Sequence, residues 1–335
     1  MRDFEWLIQL ADYVRISVGT AMKLGLEKGR LPSHFTTAFL MTYSENGCTA
    51  NCAFCPQAAG STSSPEMLSR IGWPKYAMAD VLKGLSKSSG FERVCIQSLN
   101  YGHAVQDVVS IVNSIKTVMD ARISVAIHPL SRSELVSLKS SGIERIGIAI
   151  DACTPDLFEE IKGRTRKSGY SWDTHIKAIK DAQSVFGTDK VTTHLIVGLG
   201  ESEKEISGFL FDMKDMGVRV GLFAFTAIKG TDLSANKSPQ LGKYRRIQIL
   251  RDLLARGLVQ RDAIHFDAQD HLIFPYGIEE LKTKIASGNA FRVTGCPGCN
   301  RPYYNERPRG TMYNYPRPLR AEEVEKAFIE AGLVN

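Results

Sequence analysis

The sequence predicts an α/β protein built as a partial or complete (β/α) TIM-type barrel. Between residues 35 and 260, runs rich in β-branched and aromatic residues alternate with amphipathic runs of helical period. Six such strand–helix units can be counted, and short connections between them imply right-handed parallel crossovers with helices over the outer face of a sheet. No G-x-G-x-x-G opens the first helix, which favours a barrel over a doubly wound sheet.

The individual elements are expected in chain order within three parts. These parts are an N-terminal helical extension (1–33), the barrel (34–275) and a C-terminal extension (276–335). In the first part, five apolar residues at helical spacing predict one or two helices within residues 1–30: Phe4, Leu7, Ile8, Ala11 and Val14. The predicted strands are 35–44, 93–100, 123–128, 145–151, 191–198 and 218–227, with a further short strand expected within 264–274. The predicted helices are 78–87, 105–119, 132–139, 155–162, 172–186, 203–216 and 244–258.

The composition is that of a globular protein in water. Of the 335 residues, 43% are apolar and 23% are charged, and no run of eighteen apolar residues occurs. The N-terminus carries Asp3 and Glu5 and lacks a cleavage site for a signal peptide, so we expect a cytoplasmic protein. The net charge of +6 is mild and spread along the chain. The basic and tyrosine-rich stretch 301–320 is expected to be a packed tail, and no nucleic-acid or membrane partner is expected.

One cysteine-rich loop stands out directly after the first barrel strand. Residues 42–60, TYSENGCTANCAFCPQAAG, contain Cys48, Cys52 and Cys55 in a C-x3-C-x2-C run. Three thiolates on one loop can hold an iron–sulfur cube and leave one iron open to a ligand. A structural zinc site normally needs four protein ligands, so zinc is the less favoured interpretation.

This loop resembles the signature of the radical S-adenosylmethionine (SAM) enzymes. Phe54 precedes the last cysteine as in that family, and the continuation Cys55-Pro56-Gln57 is similar to the biotin synthase-like branch. The resemblance implies a 4Fe–4S cluster whose open iron chelates SAM. Reductive cleavage of SAM would then give methionine and a 5′-deoxyadenosyl radical that takes hydrogen from an unreactive carbon.

The same resemblance implies SAM-binding residues at the C-terminal ends of later strands, where barrel active sites lie. Asp151 corresponds to the acidic residue that binds the ribose hydroxyls, although Ala149 stands where biotin synthase has asparagine. The other implied residues are Gly198, Gly200 and Glu201 in a glycine-rich element, Ser98 and Asn100 near the methionyl group, and Arg164, with Thr165 and Arg166, near its carboxylate. From the residues alone, the glycines could equally form a tight turn, and Arg164 could balance a helix dipole. His128 is expected to be structural.

The four remaining cysteines predict a second metal site. Seven cysteines, most of them clustered, argue for metal ligation rather than disulfides in a cytosolic chain. Cys296 and Cys299 form a compact C-P-G-C knuckle, which could also be half a zinc site or a redox pair. Cys95 aligns with a ligand of the second cluster of biotin synthase, but that enzyme's other ligands have no counterpart. We therefore expect a second 4Fe–4S cluster on Cys95, Cys296 and Cys299, with Cys153 as an additional candidate.

The tail also predicts the reaction. The stretch CPGCNRPYYNE resembles the archaeal-type lipoyl synthases, which are two-protein systems. This implies a sulfurtransferase that inserts sulfur from the second cluster into a C–H bond of a protein-bound octanoyl chain. The expected partners are an octanoylated lipoyl-carrier domain, a second radical SAM subunit and an electron donor such as ferredoxin. Two alternatives stay open: a carbon-skeleton mutase similar to methylornithine synthase, with one cluster, and a non-enzymatic zinc-binding module.

Overall fold

The computed structural model describes residues 11–31, 35–306 and 310–333. The strands of this part are β1 (Tyr13–Ile16), β2 (Thr37–Thr42), β3 (Met67–Leu68), β4 (Ile71–Gly72), β5 (Lys75–Ala77), β6 (Arg93–Gln97), β7 (Arg122–Ala126), β8 (Arg145–Gly147), β9 (Val191–Val197), β10 (Arg219–Ala224), β11 (His265–Phe266) and β12 (Leu272–Ile273). The α-helices are α1 (Val18–Lys23), α2 (Met78–Lys87), α3 (Ala104–Lys116), α4 (Arg132–Ser140), α5 (Pro155–Ile161), α6 (Trp172–Phe186), α7 (Glu203–Asp215), α8 (Leu241–Ala255), α9 (Ile278–Ile285) and α10 (Ala321–Glu330).

Six strands pair in parallel and form the barrel wall. The sheet has eight strands in the order β10-β9-β8-β7-β6-β2-β1-β5, and every pair from β2 to β10 is parallel. Strand β1 pairs antiparallel with both β2 and β5 and extends the sheet at its other edge. The predicted α/β barrel is therefore confirmed in its partial form, with six strand–helix units.

Alternating side chains separate the core from the interior of the barrel. On β6, Val94 and Ile96 are buried in the core between sheet and helices, whereas Cys95 and Gln97 line a cavity inside the barrel. This is the two-residue period of a strand with two different faces. Phe39 on β2 lies opposite Cys95 in the ladder and lines the same cavity.

The helical prediction for the N-terminus is wrong in part. Residues 1–10 lie outside the described residues, but Tyr13–Ile16 is a strand, and only Val18–Lys23 is helical. Val14 is fully buried in this strand, because β1 finds hydrogen-bonding partners on both sides. Such pairing partners are distant in sequence and outweigh a weak local helical period.

The C-terminal segment first crosses the N-terminal ends of the barrel strands and is then bound to α8. The buried Arg245 on α8 pairs with Glu330 at 2.9 Å and donates to the carbonyl of Tyr313 at 2.7 Å. Earlier in this segment, the hydroxyl of Thr36 donates to the carbonyl of Gly298 at 2.9 Å, and Arg93 donates to that of Pro297 at 3.2 Å. The described residues contain no helix that is long and apolar enough to cross a membrane.

Candidate active site

The loop with Cys48, Cys52 and Cys55 leaves the C-terminal end of β2 and is held by its neighbours. The backbone N–H of Thr49 donates to the carbonyl of Asn100 at 2.8 Å, and the N–H of Asn100 lies 3.4 Å from the sulfur of Cys48. A tight turn follows, in which the N–H of Cys55 donates to the carbonyl of Cys52 at 3.1 Å. These bonds fix the loop over the open end of the barrel.

All three cysteines line one cavity of about 510 Å³ inside the barrel. Burial raises the pKa of Cys52 to about 12, and only Lys162 among the nearby charges lowers it substantially. Burial also raises the pKa of Cys55, and the neighbouring Cys52 adds to the effect. Such thiols ionise when a cationic centre binds them, and soft thiolates are the ligands that iron–sulfur clusters use. The donor set therefore fits a cluster held by three cysteines.

A buried ion pair lies in the wall of the same cavity. The ammonium group of Lys162 lies 2.7 Å from the carboxylate of Asp151 and also donates to the carbonyl of Ala149. Burial disfavours the charged form of Lys162, but Asp151 and Cys52 outweigh this and raise its pKa. Asp151, one of the expected SAM-binding residues, lines the cavity, and so does Lys162, which the sequence places only at the end of a helix. No sequence signal separates it from an ordinary helix-terminal lysine.

The glycine-rich element has a different role from the one expected. The carboxylate of Glu201 accepts hydrogen bonds from the N–H groups of Gly198 and Leu199, both at 2.8 Å, and pairs with Lys243 at 3.1 Å. Gly198, Gly200 and Glu201 do not line the cavity. Glu201 therefore shapes the loop after β9, and its oxygens are already used within the protein.

Of the residues expected near the methionyl group, some reach the cavity and one does not. Ser98 and Asn100 line it, although the hydroxyl of Ser98 donates to the carbonyl of Leu99 at 2.8 Å. Arg164 is exposed and lies outside the cavity. Instead, Arg166 contacts the cysteine loop, since its Nε donates to the carbonyl of Asn51 at 3.3 Å.

His128 has a ring nitrogen without the hydrogen bond that a buried structural histidine normally makes. It lines the cavity, and its Nδ1 is buried without a hydrogen-bond partner among the described residues. Burial lowers its pKa, so the ring is neutral. A buried nitrogen of this kind is available to a ligand.

The second group of cysteines comes together on the same cavity. Cys95, Cys296 and Cys299 all line it, and the pKa of Cys95 is raised to about 12 by burial and by the nearby Cys296 and Cys299. The N–H of Cys299 donates to the carbonyl of Cys296 at 3.0 Å, which closes the knuckle. Arg301 lies beside it, with its guanidinium 3.9 Å from the centre of the Phe223 ring.

Cys153 does not join this group, and its expected role as a ligand is corrected. It is buried in the hydrophobic core and is absent from the cavity wall. Burial raises its pKa, and the nearest charged groups are Glu201, Glu205 and Lys243. Cys153 follows Asp151 by two residues, but the chain has already left the cavity for the start of α5.

An apolar cluster contacts cysteines of both groups. Cys48 of the first group and Cys95 and Cys299 of the second all pack against it. Its buried members are Phe35, Phe39, Met41, Trp73, Leu99, Tyr101 and Ala104. The wall between the two groups is therefore suited to a hydrocarbon rather than to a polar substrate.

Within the described ranges, no three His, Cys, Asp or Glu side chains converge closely enough to hold a single metal ion. A 4Fe–4S cube does not need such close convergence, because each of its cysteines binds a different iron.

The fold and the cysteine loop define the class of this protein. Residues 43–213 match the family model of the radical SAM superfamily, and the chain belongs to that superfamily. The family implies a 4Fe–4S cluster and SAM as cofactors, and it identifies the chain as an enzyme, so the alternative of a non-enzymatic zinc module is set aside.

Among characterised proteins, the chain is similar to biotin synthases. It is 23% identical to the mitochondrial biotin synthase of Saccharomyces cerevisiae over 73% of this chain and 64% of that protein. It is 24% identical to the biotin synthase of Ralstonia pickettii over 72% and 67% of the two chains. The chain thus spans about two thirds of the length of these relatives.

Two solved structures share the fold. Methylornithine synthase superposes with a TM-score of 0.52 at 16% identity, over 88% of this chain and 87% of that one. The FeFe-hydrogenase maturase HydG from Carboxydothermus hydrogenoformans superposes with a TM-score of 0.51 at 16% identity, over 94% and 69%. At this identity the likeness concerns the fold alone.

Proposed function

We propose that this radical SAM enzyme inserts sulfur into an unactivated C–H bond of a protein-bound octanoyl chain, as a lipoyl synthase component. One observation carries the proposal: Cys95, Cys296 and Cys299 line the same cavity as Cys48, Cys52 and Cys55. An enzyme with a single cluster has no use for a second group of three thiols beside its reaction space. Similarity to biotin synthases supports the same reaction type.

The residues of the chain have separate roles in this proposal. Cys48, Cys52 and Cys55 hold the cluster that, when bound, supplies reductive cleavage of SAM. Asp151 offers a carboxylate that can accept hydrogen bonds from the ribose hydroxyls, and Lys162 fixes its orientation from 2.7 Å away. Cys95, Cys296 and Cys299 would hold a second cluster, which would supply the sulfur.

The apolar cluster supports an acyl chain as the substrate. Phe39 and Met41 line the cavity and belong to the cluster against which Cys48 and Cys95 pack, and neither side chain offers a polar group. A saturated chain placed against them loses its contact with water and lies between the two groups of cysteines. The proposed partners are an octanoylated carrier domain, a second radical SAM subunit and a reductant such as ferredoxin.

The experiment compares the protein with a variant that lacks only the second group. Anaerobically reconstituted protein is given SAM, a reductant and a peptide that carries octanoyl-lysine. We expect 5′-deoxyadenosine and a sulfur-containing peptide, both measured by mass spectrometry. The variant Cys95→Ala/Cys296→Ala/Cys299→Ala should still release 5′-deoxyadenosine but add no sulfur.

Two results would contradict the proposal. Sulfur addition by this triple variant would remove the role of the second group. A carbon-rearranged product without sulfur from the unaltered protein would favour a mutase similar to methylornithine synthase, which needs only Cys48, Cys52 and Cys55.

A further inference from the structure

A second cavity, here called the rear cavity, lies at the N-terminal ends of the barrel strands. Its volume is about 830 Å³. Thr36 and Glu92 directly precede β2 and β6, Arg219 begins β10, and all three line this cavity. It therefore lies at the end of the barrel opposite to the loop with Cys48, Cys52 and Cys55.

The knuckle with Cys296 and Cys299 separates the rear cavity from the first one. Both cysteines line both cavities, as do Thr294 and Gly295. Pro297 and Gly298, between the two cysteines, are exposed. The partition is thus a single turn of chain.

The rear cavity is more basic than acidic. Among its charged lining residues, the carboxylates are Glu92, Asp189 and Asp252, and the cations are Lys214, Arg219, Arg251, Arg292 and Arg317. Arg219 lies 4.0 Å from Asp189, and Arg317 pairs with Glu323 at 2.7 Å. In the part of the chain that the structure describes, Lys214, Arg251 and Arg292 form no ion pair. This surplus of positive charge attracts small anions and repels small cations.

One buried polar group in the rear cavity has an unpaired atom. Asn300 follows Cys299, is only 8% exposed and lines the rear cavity. Its Oδ1 has no hydrogen-bond partner among the described residues. An amide oxygen accepts hydrogen bonds, so this group is available to water or to another donor rather than to an anion itself.

We propose that the rear cavity is the route by which small anions, hydrosulfide in particular, reach Cys296 and Cys299. The inference rests on the proposed function, in which sulfur leaves this site during the reaction while SAM and the acyl chain fill the first cavity. Hydrosulfide that enters through the first cavity to replace this sulfur could reach the site only after SAM and the acyl chain have left. The rear cavity reaches Cys296 and Cys299 without passing through the space that SAM and the acyl chain occupy.

The test measures thiol access in the metal-free, reduced protein. Two methanethiosulfonate reagents of similar size are compared, one with a sulfonate and one with a trimethylammonium group. Each thiolate displaces methanesulfinate and forms a mixed disulfide, which is located by peptide mass spectrometry. We expect Cys296 and Cys299 to react about tenfold faster or more with the anionic reagent.

Two kinds of variant separate the routes. Val293→Trp fills the rear cavity and should slow the reaction of Cys296 and Cys299, because Val293 lines only that cavity. Ile196→Trp is the matched control, since Ile196 lines only the first cavity. It should slow Cys52 and Cys55 instead. The charge reversal Lys214→Glu/Arg292→Glu adds no bulk and should remove the preference for the anionic reagent.

The inference is overturned if Ile196→Trp slows Cys296 and Cys299 while Val293→Trp does not. It is also overturned if the double charge reversal leaves the anion preference unchanged, a result that does not depend on how Val293→Trp folds. These rates are measured without clusters or substrate. Failure of sulfur insertion would therefore leave them unchanged, and the two proposals fail by different results.

Discussion

Asp151 is the residue where backbone strain, charge and the proposed cofactor site coincide. Its φ of +68° is unusual for a residue other than glycine. Hydrogen bonds to β9 maintain this backbone conformation. The N–H of Asp151 donates to the carbonyl of His194 at 2.9 Å, and the carbonyl of Asp151 accepts from the N–H of Ile196 at 3.0 Å. The left-handed turn directs the carboxylate to Lys162, and both side chains are almost fully buried. Strain of this kind is maintained only where the surrounding structure enforces it.

The change Lys162→Met tests this pair. Without the ammonium group, the carboxylate of Asp151 stays buried without its counter-charge, so we expect a loss of about 3–5 kcal/mol in the free energy of unfolding. The measurement is denaturant unfolding of the metal-free protein at neutral pH.

Two further variants serve as controls for Lys162. The double variant Lys162→Met/Asp151→Asn should regain part of the lost stability, because no unpaired charge remains. Lys177→Met breaks an exposed pair with Asp181 on α6 and should have a much smaller effect. An equal loss in Lys162→Met and Lys177→Met would contradict the role of burial.

At the scale of elements, the loop between β9 and α7 depends more on Gly198 than on Gly200. Gly198 has a φ of +108°, and a Cβ there would lie 2.9 Å from Cδ of Pro239. Gly200 has a φ of +127°, but a Cβ there would meet nothing within 4 Å. Both positions need glycine for the backbone, but only Gly198 needs it for space as well.

We therefore predict that Gly198→Ala destabilises the protein by more than Gly200→Ala does. The backbone strain costs on the order of 1–3 kcal/mol in each, and the contact with Pro239 adds to it in the first. Gly208→Ala, inside α7, is the control and should stabilise by about 0.5–1 kcal/mol, since nothing obstructs a Cβ there. Thermal unfolding of the three variants checks the order, and equal losses for Gly198→Ala and Gly200→Ala would contradict it.

The elements could be predicted where local pattern and tertiary structure agree. Helices α2 and α6 begin and end at the predicted residues, because their apolar spacing matches the face that the sheet covers. The strand Tyr13–Ile16 could not be predicted, since its stability comes from β2 and β5. The hairpin of β11 and β12 replaces the single short strand expected near residue 270.

The sequence indicates a site most clearly where the candidate residues lie within one short segment. Cys48, Cys52 and Cys55 are adjacent in sequence, so their spacing alone indicates a shared site. Lys162 could not be distinguished from an ordinary lysine near a helix end, because its role depends on Asp151 across the fold. Arg166 could be read equally as a contact to the methionine carboxylate or as a helix-end cation, since its contact with Asn51 also depends on the fold. For the same reason, spacing could not show that Cys153 points away from the cavity.

At the scale of the whole molecule, the partial barrel brings two groups of cysteines to one interior. Cys48, Cys52 and Cys55 lie at the C-terminal ends of the strands, and the tail brings Cys296 and Cys299 to the other end, near Cys95. Cys95 is some 200 residues from the other two, so only the folded chain unites them. An apolar wall joins the two groups. The arrangement supports a reaction in which a hydrocarbon lies between two separate clusters.

The most direct test counts iron and acid-labile sulfide in anaerobically purified variants. Cys48→Ala/Cys52→Ala/Cys55→Ala and Cys95→Ala/Cys296→Ala/Cys299→Ala each remove one group, and Cys153→Ala is the matched control. We predict that each triple variant keeps about four irons with matching sulfide, and that Cys153→Ala keeps about eight. Loss of all iron from Cys48→Ala/Cys52→Ala/Cys55→Ala would show that the second group holds no cluster of its own, and would contradict sulfur insertion from that site.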